Sequence, residues 1–345
     1  MDRTDAPTMR DIAVATGASP REVAMAMAGD SALDQALRAR ITRTANDVGY
    51  AALAAVHERL GRPARLALVF KTFRGDDPDA NRFYAPMSAA ITIACVKGGG
   101  GIEQATMSVD GHYKLLDVPA ALRNRSCDGA FVFGAQLDAE AVAKIRSAGC
   151  PVVLVDGYSD GDVFDAVHTD NSEGARTLVE RLIDAGHRDI AMLGSEPVCY
   201  PSIQDRRRGY SEAVRAHGLP EHFVDISYVL TDAGAVMGVD YVQRHPSVTA
   251  VFGANDLVTV AFMQLARDSG FRLPADLSVG GFDDIDLAAL VMPALTTMSV
   301  DKTQMARAAF ALMAYRLEHP DGEPLESLVC PQLVERESIA LPRPR

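Results

Sequence analysis

From residue 64 onward, short apolar runs alternate with stretches of helical texture, and this alternation constrains the chain more than any other feature. The runs lie at 66–70, 129–133, 152–155, 190–194, 250–253 and 278–281, and the helical stretches at 172–185, 206–217, 257–269 and 302–318. Continuous apolar strands separated by helices specify parallel strands covered on both faces, which is a doubly wound α/β sheet. Two of the helices carry stop signals, Gly186 and Gly270, just past the last turn where a left-handed residue is needed. Roughly 280 residues exceed what one such sheet organises, so two subdomains are expected. The polar segment "HTDNSEGA" (168–175) offers one crossover between them and "MPALTTMSVD" (292–301) a second. The expected division is a headpiece over 1–50, a hinge over 51–63, a first subdomain from 64–165 with 293–325, and a second from 166–292 with 326–345. "KGGGG" (97–101) is expected to be a flexible turn after a helix.

The first 50 residues have a different texture. Met9, Ile12, Ala13 and Thr16 fall at i, i+3, i+4 and i+7, a small apolar stripe on one helix that Gly17 stops. Ser19 then caps a second helix, which turns Val23 and Met27 inward. A third runs from a cap at Asp34 through Leu37, Ile41, Ala45 and Val48 to Gly49. Helix, tight turn and helix is the arrangement that sets a helix into a major groove, although the same pattern also fits a small helical cap without a ligand. Three short helices bury little, so the unit needs DNA or a neighbour to dock on.

Charge bears on that choice. The 345-residue chain has 48% hydrophobic and 23% charged residues, enough to bury sizeable cores, and a net charge of −12. The first 62 residues hold eight arginines against eight carboxylates, so the N-terminal unit is neutral and the excess acid lies in the remainder. A neutral unit is poor at non-specific phosphate attraction. No apolar run reaches about eighteen residues and "MDRTDAPTMRD" lacks the layout of a signal peptide, so a cytoplasmic location without a membrane span is expected. Cys95, Cys127, Cys150, Cys199 and Cys330 are odd in number, far apart and never in a CxxC pair, and are taken as reduced core thiols. No metal and no cofactor is expected. GxSxG, Walker, HExxH and GxGxxG signatures are missing from the strand–helix junctions, which argues against an enzyme. His187, in "AGHRDI", is expected to be a helix-end cation.

The order of motifs resembles that of the lac repressor (LacI/GalR) family of bacterial transcription regulators. "TMRDIAVATGAS" matches the family's T-[LIM]-x-D-[VI]-A-x-x-A-G-V-S pattern at Thr8, Asp11, Ile12, Ala13, Gly17 and Ser19, and the third helix keeps the register through Arg38 and Gly49-Tyr50. "CDGAFVFG", "PVVLVDG", "TDNSEGA", "DAGHRDIAMLG", "DRRRGY", "AVFGANDLVTVA" and "LPADLSVGGFDDIDLAALVMPALTTM" are similar to successive core motifs, so the likeness covers nearly the whole chain. It implies a helix-turn-helix headpiece, a hinge, and a periplasmic-binding-protein-like core of two doubly wound parallel-sheet subdomains. The implied partners are an operator duplex, a second copy of the chain to meet the second half-site, and a small effector, a mono- or disaccharide, in the cleft between the subdomains.

The resemblance implies effector roles for Asp256, at the end of "AVFGAN", and for Arg206, whose fork can clamp a hydroxyl pair. Asp156 ends another strand, Ser202 lies four residues before Arg206, and Phe83-Tyr84 offers a ring for stacking. A helix cap is the lesser alternative for Asp256, and the aromatic pair equally fits core packing. Arg207 and Arg208 look like solvated helix charge, and Asp283-Asp284 look like residues that hold the hinge between subdomains. The expected DNA contacts are Thr8, Ser19, Pro20, Arg21, Glu22 and Met25, with Arg59 and Leu60 from the hinge.

Two regions depart from the family pattern. The reading positions hold Pro20, which has no donor, Arg21, which can take a guanine edge, and Met25, which can touch only apolar groups such as a thymine methyl. The hinge has Ala52-Leu53 where the family has Pro-Asn, and gapless register puts Arg59 at the minor-groove wedge. This Ala-rich hinge is expected to be helical without DNA. Two other functions fit the same residues: a sugar-sensing core whose headpiece has lost DNA and acts through a protein partner, and an enzyme on this two-subdomain scaffold.

Overall fold

The computed structural model describes residues 6–30, 32–73, 83–110, 115–124, 126–161 and 163–342. Helix α1 (Met9–Thr16) starts at a reciprocal cap: the Thr8 hydroxyl accepts from the Asp11 amide at 3.2 Å while the Asp11 carboxylate accepts from the Thr8 amide at 2.8 Å. Its buried residues are Met9, Ile12, Ala13 and Thr16, the stripe expected from their spacing. Helix α2 (Pro20–Ala28) repeats the device with Ser19 and Glu22, and Pro20 occupies the first turn where no donor is needed. Helix α3 (Gln35–Asp47) is capped by Asp34 and buries Ile41 and Ala45. Val48, expected to face inward, is 42% exposed because the helix ends one residue before it. The hinge is helical as its alanines suggest: α4 (Ala54–Leu60) buries Val56 and stops at Gly61, φ 64°. Beyond it the Arg62 fork closes on Asp128 at 2.7 and 2.8 Å, and Asp128 also accepts from the Arg65 amide.

The chain then forms β1 (Arg65–Phe73), α5 (Ala85–Lys97), β2 (Gly101–Val109), α6 (Ala120–Arg123), β3 (Gly129–Phe133), β4 (Gln136–Leu137), α7 (Ala139–Ala148), β5 (Val152–Val155), β6 (Tyr158–Ser159) and β7 (Asp165–Thr169). Next come α8 (Asn171–Asp184), β8 (Ile190–Leu193), α9 (Pro201–Ala216), β9 (His222–Val224), α10 (Thr231–Arg244), β10 (Ala250–Gly253), α11 (Asp256–Asp268), β11 (Ser278–Asp283), α12 (Asp286–Leu290) and β12 (Thr296–Ser299). The last elements are α13 (Lys302–Glu318), β13 (Glu326–Val329) and β14 (Gln332–Val334).

These elements make two compact units, Met1–His168 with Asp301–Val329, and Thr169–Val300 with Cys330–Arg345. The first holds the headpiece and a six-stranded sheet in the order β13-β7-β5-β3-β1-β2; the second holds a six-stranded sheet in the order β14-β12-β11-β10-β8-β9. The pairs from β7 through β2, and from β12 through β9, are parallel. β14 runs antiparallel to β12 at the edge of the second sheet. Each sheet has its own apolar core, with Val69, Val132 and Leu154 in the first and Leu193, Val251 and Val279 in the second.

Strand membership places the crossings at 168/169, 300/301 and 329/330, a few residues beyond the expected 165/166, 292/293 and 325/326. The expected first subdomain included 293–300, but β12 pairs with β11 and so stays in the second sheet. The expected second subdomain included 326–329, but β13 sits beside β7 in the first sheet. The glycine run is less free than expected: a Cβ at Gly100 would come within 2.8 Å of the Cys95 sulfur, and the Gly100 amide donates to the Cys95 carbonyl at 2.9 Å. Four of the five cysteines are buried, and Cys127 and Cys150 lie 3.4 Å apart, sulfur to sulfur. Cys330, expected in the core, is exposed because it sits in the link between β13 and β14.

Candidate effector groups and the helix-turn-helix surface

In the second unit, the candidate side chains converge where parallel strands end and helices begin. Asn255, extended at φ −148°, caps α11 by accepting from the Val258 amide at 2.9 Å. That settles what Asp256 is not: the cap belongs to its neighbour. Asp256 is fully buried, its Oδ1 accepting from the Thr297 hydroxyl at 2.7 Å and its Oδ2 from the Ile285 amide at 3.0 Å. Burial, with the Asp283 charge nearby, pushes its pKa up to about 8. The approach of strand and carboxylate needs Gly281, where a Cβ would come within 2.3 Å of Asp256 Oδ1.

Arg206, on the second turn of α9, is also buried and holds the neighbourhood together. Its Nε donates to Asn171 Oδ1 at 2.8 Å, one Nη to the Ala254 carbonyl at 2.7 Å, and the other pairs with Asp283 at 3.0 Å. The guanidinium lies 3.8 Å from the centre of the Phe282 ring, a stacked cation–π contact. Ser202, one turn earlier on α9, is buried on the same helix. Asp283 and Asp284 both have positive φ, 111° and 49°, a conformation that costs a residue with a Cβ about 1–3 kcal/mol and collects at functional sites. Asp283 meets Arg206 and Asp284 meets Arg336 at 2.7 Å, so within this unit they orient the site.

The carboxyl edge of the first sheet carries a second set. Asp156, at φ 49° just after β5, accepts from the Tyr84 hydroxyl at 2.8 Å. Tyr84 precedes α5 and packs edge-on to Phe83 (5.1 Å) and Phe133 (5.8 Å), while Phe133 stacks on Phe70 at 4.8 Å. Gly134 leaves room for the tyrosine, since a Cβ there would lie 2.4 Å from its hydroxyl. A half-buried aromatic pair beside a carboxylate is the chemistry that takes a sugar face and its hydroxyls.

The headpiece residues have split roles. The Thr8 and Ser19 hydroxyls and the Glu22 carboxylate are engaged in helix caps, and the two Ser19 bonds hold the Glu22 pKa below the usual carboxylate range. Arg21 is exposed and Met25 half-buried. Arg59 is exposed and Leu60 half-buried on the last turn of α4.

Two sequence expectations are corrected here. Arg207 is not merely solvated charge: it lies 3.5 Å over the Phe223 ring, donates to the Ser195 carbonyl at 2.7 Å and pairs with Asp225 at 2.6 Å. Arg208 is 58% exposed, as expected. His187 is not a helix-end cation; it is buried, with its pKa lowered, its Nε2 donating to the Ala340 carbonyl at 3.0 Å and its Nδ1 bonded to the Thr249 hydroxyl at 2.8 Å. Asn171, Thr297 and Phe282 were missed as site residues. "TDNSEGA" contained the signal for Asn171, a polar residue opening a helix after an apolar strand, but nothing local singled out the other two.

Two parallel-sheet units carrying polar groups at their strand ends, preceded by a capped helix-turn-helix, define a ligand-sensing core with a headpiece. A family model for the periplasmic binding protein-like domain matches residues 179–339. The HTH-type transcriptional regulator CelR of Thermobifida fusca is 26% identical over 343 residues, 98% of this chain and 100% of that protein. The ribose operon repressor of Haemophilus influenzae is 26% identical over 96% of this chain and 98% of its own. Among solved structures, a transcriptional regulator CelR–cellobiose complex superposes with a TM-score of 0.67 at 25% identity, covering 96% of this chain and 100% of that one. Over nearly its whole length the chain is therefore similar to HTH-type transcription regulators, in keeping with the resemblance of its motifs to the LacI/GalR family.

Proposed function

We propose that the chain is a sequence-specific DNA-binding transcriptional repressor, acting as a homodimer, whose operator affinity is set by a small polyhydroxylated effector. The observation that carries this is the convergence of Arg206, Asn171, Asp256 and Thr297 at the strand ends of the second unit, in a chain whose N-terminus folds as a capped helix-turn-helix. Arg206 and Asp256 are the principal effector groups, with Ser202 beside them; Asp156, Phe83 and Tyr84 supply the aromatic and carboxylate contacts of the first unit. These are neutral-polyol chemistries, and the relatives named for ribose and bound to cellobiose support a sugar. The headpiece reads DNA through Arg21, with Met25 against apolar base edges and Arg59 and Leu60 at the minor groove. Two headpieces are needed to meet two half-sites, which is the reason for the dimer. The relatives are regulators, and the site residues here are arranged to bind and orient. Among the described residues no helix is long and apolar enough to cross a membrane.

Full-length protein should be footprinted at low salt on the DNA upstream of its own gene, with and without a panel of mono- and disaccharides. The expected result is one protected palindrome whose protection changes with one sugar. The same sugar, at a hundred times its dissociation constant, should stabilise the protein by about 2.7 kcal/mol in a thermal melt. Protein that shows no sequence preference on that DNA or on a random duplex library is not a repressor.

A further inference from the structure

Helix α13 is built differently from the other long helices. A helix covering a sheet needs one apolar face, yet α13 buries Met305, Ala306, Ala308, Ala309 and every residue from Ala311 to Leu317, which together go all the way round it. One side lies on β3 and β5 and another against α5; a further side is covered by α2 of the headpiece. On α2, Ala24 and Ala28 are 0% and 1% exposed, and the Ala28 carbonyl is bonded from α13. At 100° per residue these two project between Pro20 on one flank and Arg21 and Met25 on the other, which is the centre of the face that would enter a major groove.

Polar groups pin the contact at both ends of α13. Near its start, the Gln304 amide donates to the Ala28 carbonyl, and a Cβ on Gly29 would run into that same side chain. At its end, Glu318 accepts from the Met9 amide at 3.0 Å and from the Tyr50 hydroxyl at 3.2 Å, so one carboxylate holds the first turn of α1 and the residue that closes the headpiece. Arg21 lines a cavity of about 250 Å³ together with Tyr158, His168, Pro324 and Glu326, all from the first unit's core.

We propose that the outer face of α13 is the docking surface for the chain's own headpiece, and that the docked headpiece is a DNA-silent state. Packed helices lie roughly 8–10 Å apart, so a helix seated on α13 through Ala24 and Ala28 cannot also present that face to base edges. Operator binding then requires undocking, and the affinity for DNA is reduced by the fraction of molecules docked. This rests on the repressor reading for its consequence, but the docking itself is testable without DNA.

The test uses the full-length protein and two variants outside the reading helix: the double Gln304→Ala, Glu318→Ala, and the milder Tyr50→Phe, which removes one hydroxyl. Hydrogen exchange of α1 and α2 amides in the free protein should rise about tenfold in the double variant and less in Tyr50→Phe, with peptides of the second unit unchanged. Affinity for a duplex carrying the upstream region of its own gene should rise in the same order. Exchange of α2 that is unchanged in both variants overturns the docking. A released headpiece with unaltered affinity for a duplex that the wild type binds overturns the silent state. If exchange rises and no variant binds any duplex, docking stands and it is the repressor reading that fails.

Discussion

At the strand ends of the second unit, Arg206, Asn171 and Asp256 are buried and bonded within their surroundings, whereas Arg21 and Met25 of the headpiece, one exposed and one half-buried, project from a short helix of alanines. Arg206 alone makes three polar contacts and one stacking contact; for Arg21 the surroundings are a shallow cavity wall. The first region is preorganised, with its cost already met in folding, so a ligand finds groups fixed in place. The second fixes its scaffold through two capping boxes and leaves Arg21 exposed. Substitutions should therefore damage stability and function together in the second unit and separate the two in the headpiece.

The largest joint loss is expected at Arg206. Arg206→Ala removes the guanidinium that meets Asp283 and Asn171 Oδ1, and breaking a largely buried pair in this way costs about 3–5 kcal/mol. Urea titration should show that loss, and the sugar-induced melting shift should vanish with it. Arg206→Lys restores charge without the planar fork and should recover part of the stability but not the shift. An Arg206→Ala protein as stable as the wild type would show that the cluster is not held by this side chain.

Asp256 gives a pH-dependent version of the same comparison. Burial keeps its carboxyl protonated up to about pH 8 in the folded chain, while in the unfolded chain it ionises near 4. The folded state thus holds one more proton in between: the contribution is fully present below about pH 4 and is lost as pH rises towards 8, at up to about 1.4 kcal/mol per pH unit. Asp256→Asn cannot ionise and should flatten that part of the curve. A wild-type minus variant difference that stays constant from pH 4 to 8 would refute the raised pKa.

Much of the fold was legible because its signals are local. Apolar runs match β3, β5, β8 and β10 to within a residue and stop three residues short in β1 and two short in β11, and Ser19, Asp34, Gly186 and Gly270 mark helix ends through bonds and φ angles of their own neighbourhoods. Strand β2 escaped because "GIEQATMSV" mixes polar and apolar residues at a sheet edge with one open face. Strands β12 and β13 were assigned to the wrong units because membership depends on pairing with strands far away in the chain. The site followed the same division. Asp256 and Arg206 stood out at strand–helix junctions, but Thr297 becomes a partner of Asp256 only through the pairing of β12 with β11. The burial of Ala24 and Ala28 was illegible for the same reason: nothing in "PREVAMAMA" tells which alanines meet α13.

The headpiece should yield the smaller effects. Arg21→Ala removes an exposed side chain and should leave stability within about 0.5 kcal/mol, yet cost about 1–3 kcal/mol in discrimination at one base pair. Ser19→Ala should do the opposite. It removes the acceptor for the Glu22 amide and one donor to the Glu22 carboxylate, costing about 1 kcal/mol of stability with no loss of discrimination among bases. Denaturation and binding to a panel of single-base operator variants, measured on both proteins, separate the two roles. If Ser19→Ala weakens binding at one base position only, Ser19 contacts DNA directly and is more than a cap; if it weakens all positions alike, the hydroxyl acts by holding α2 in shape.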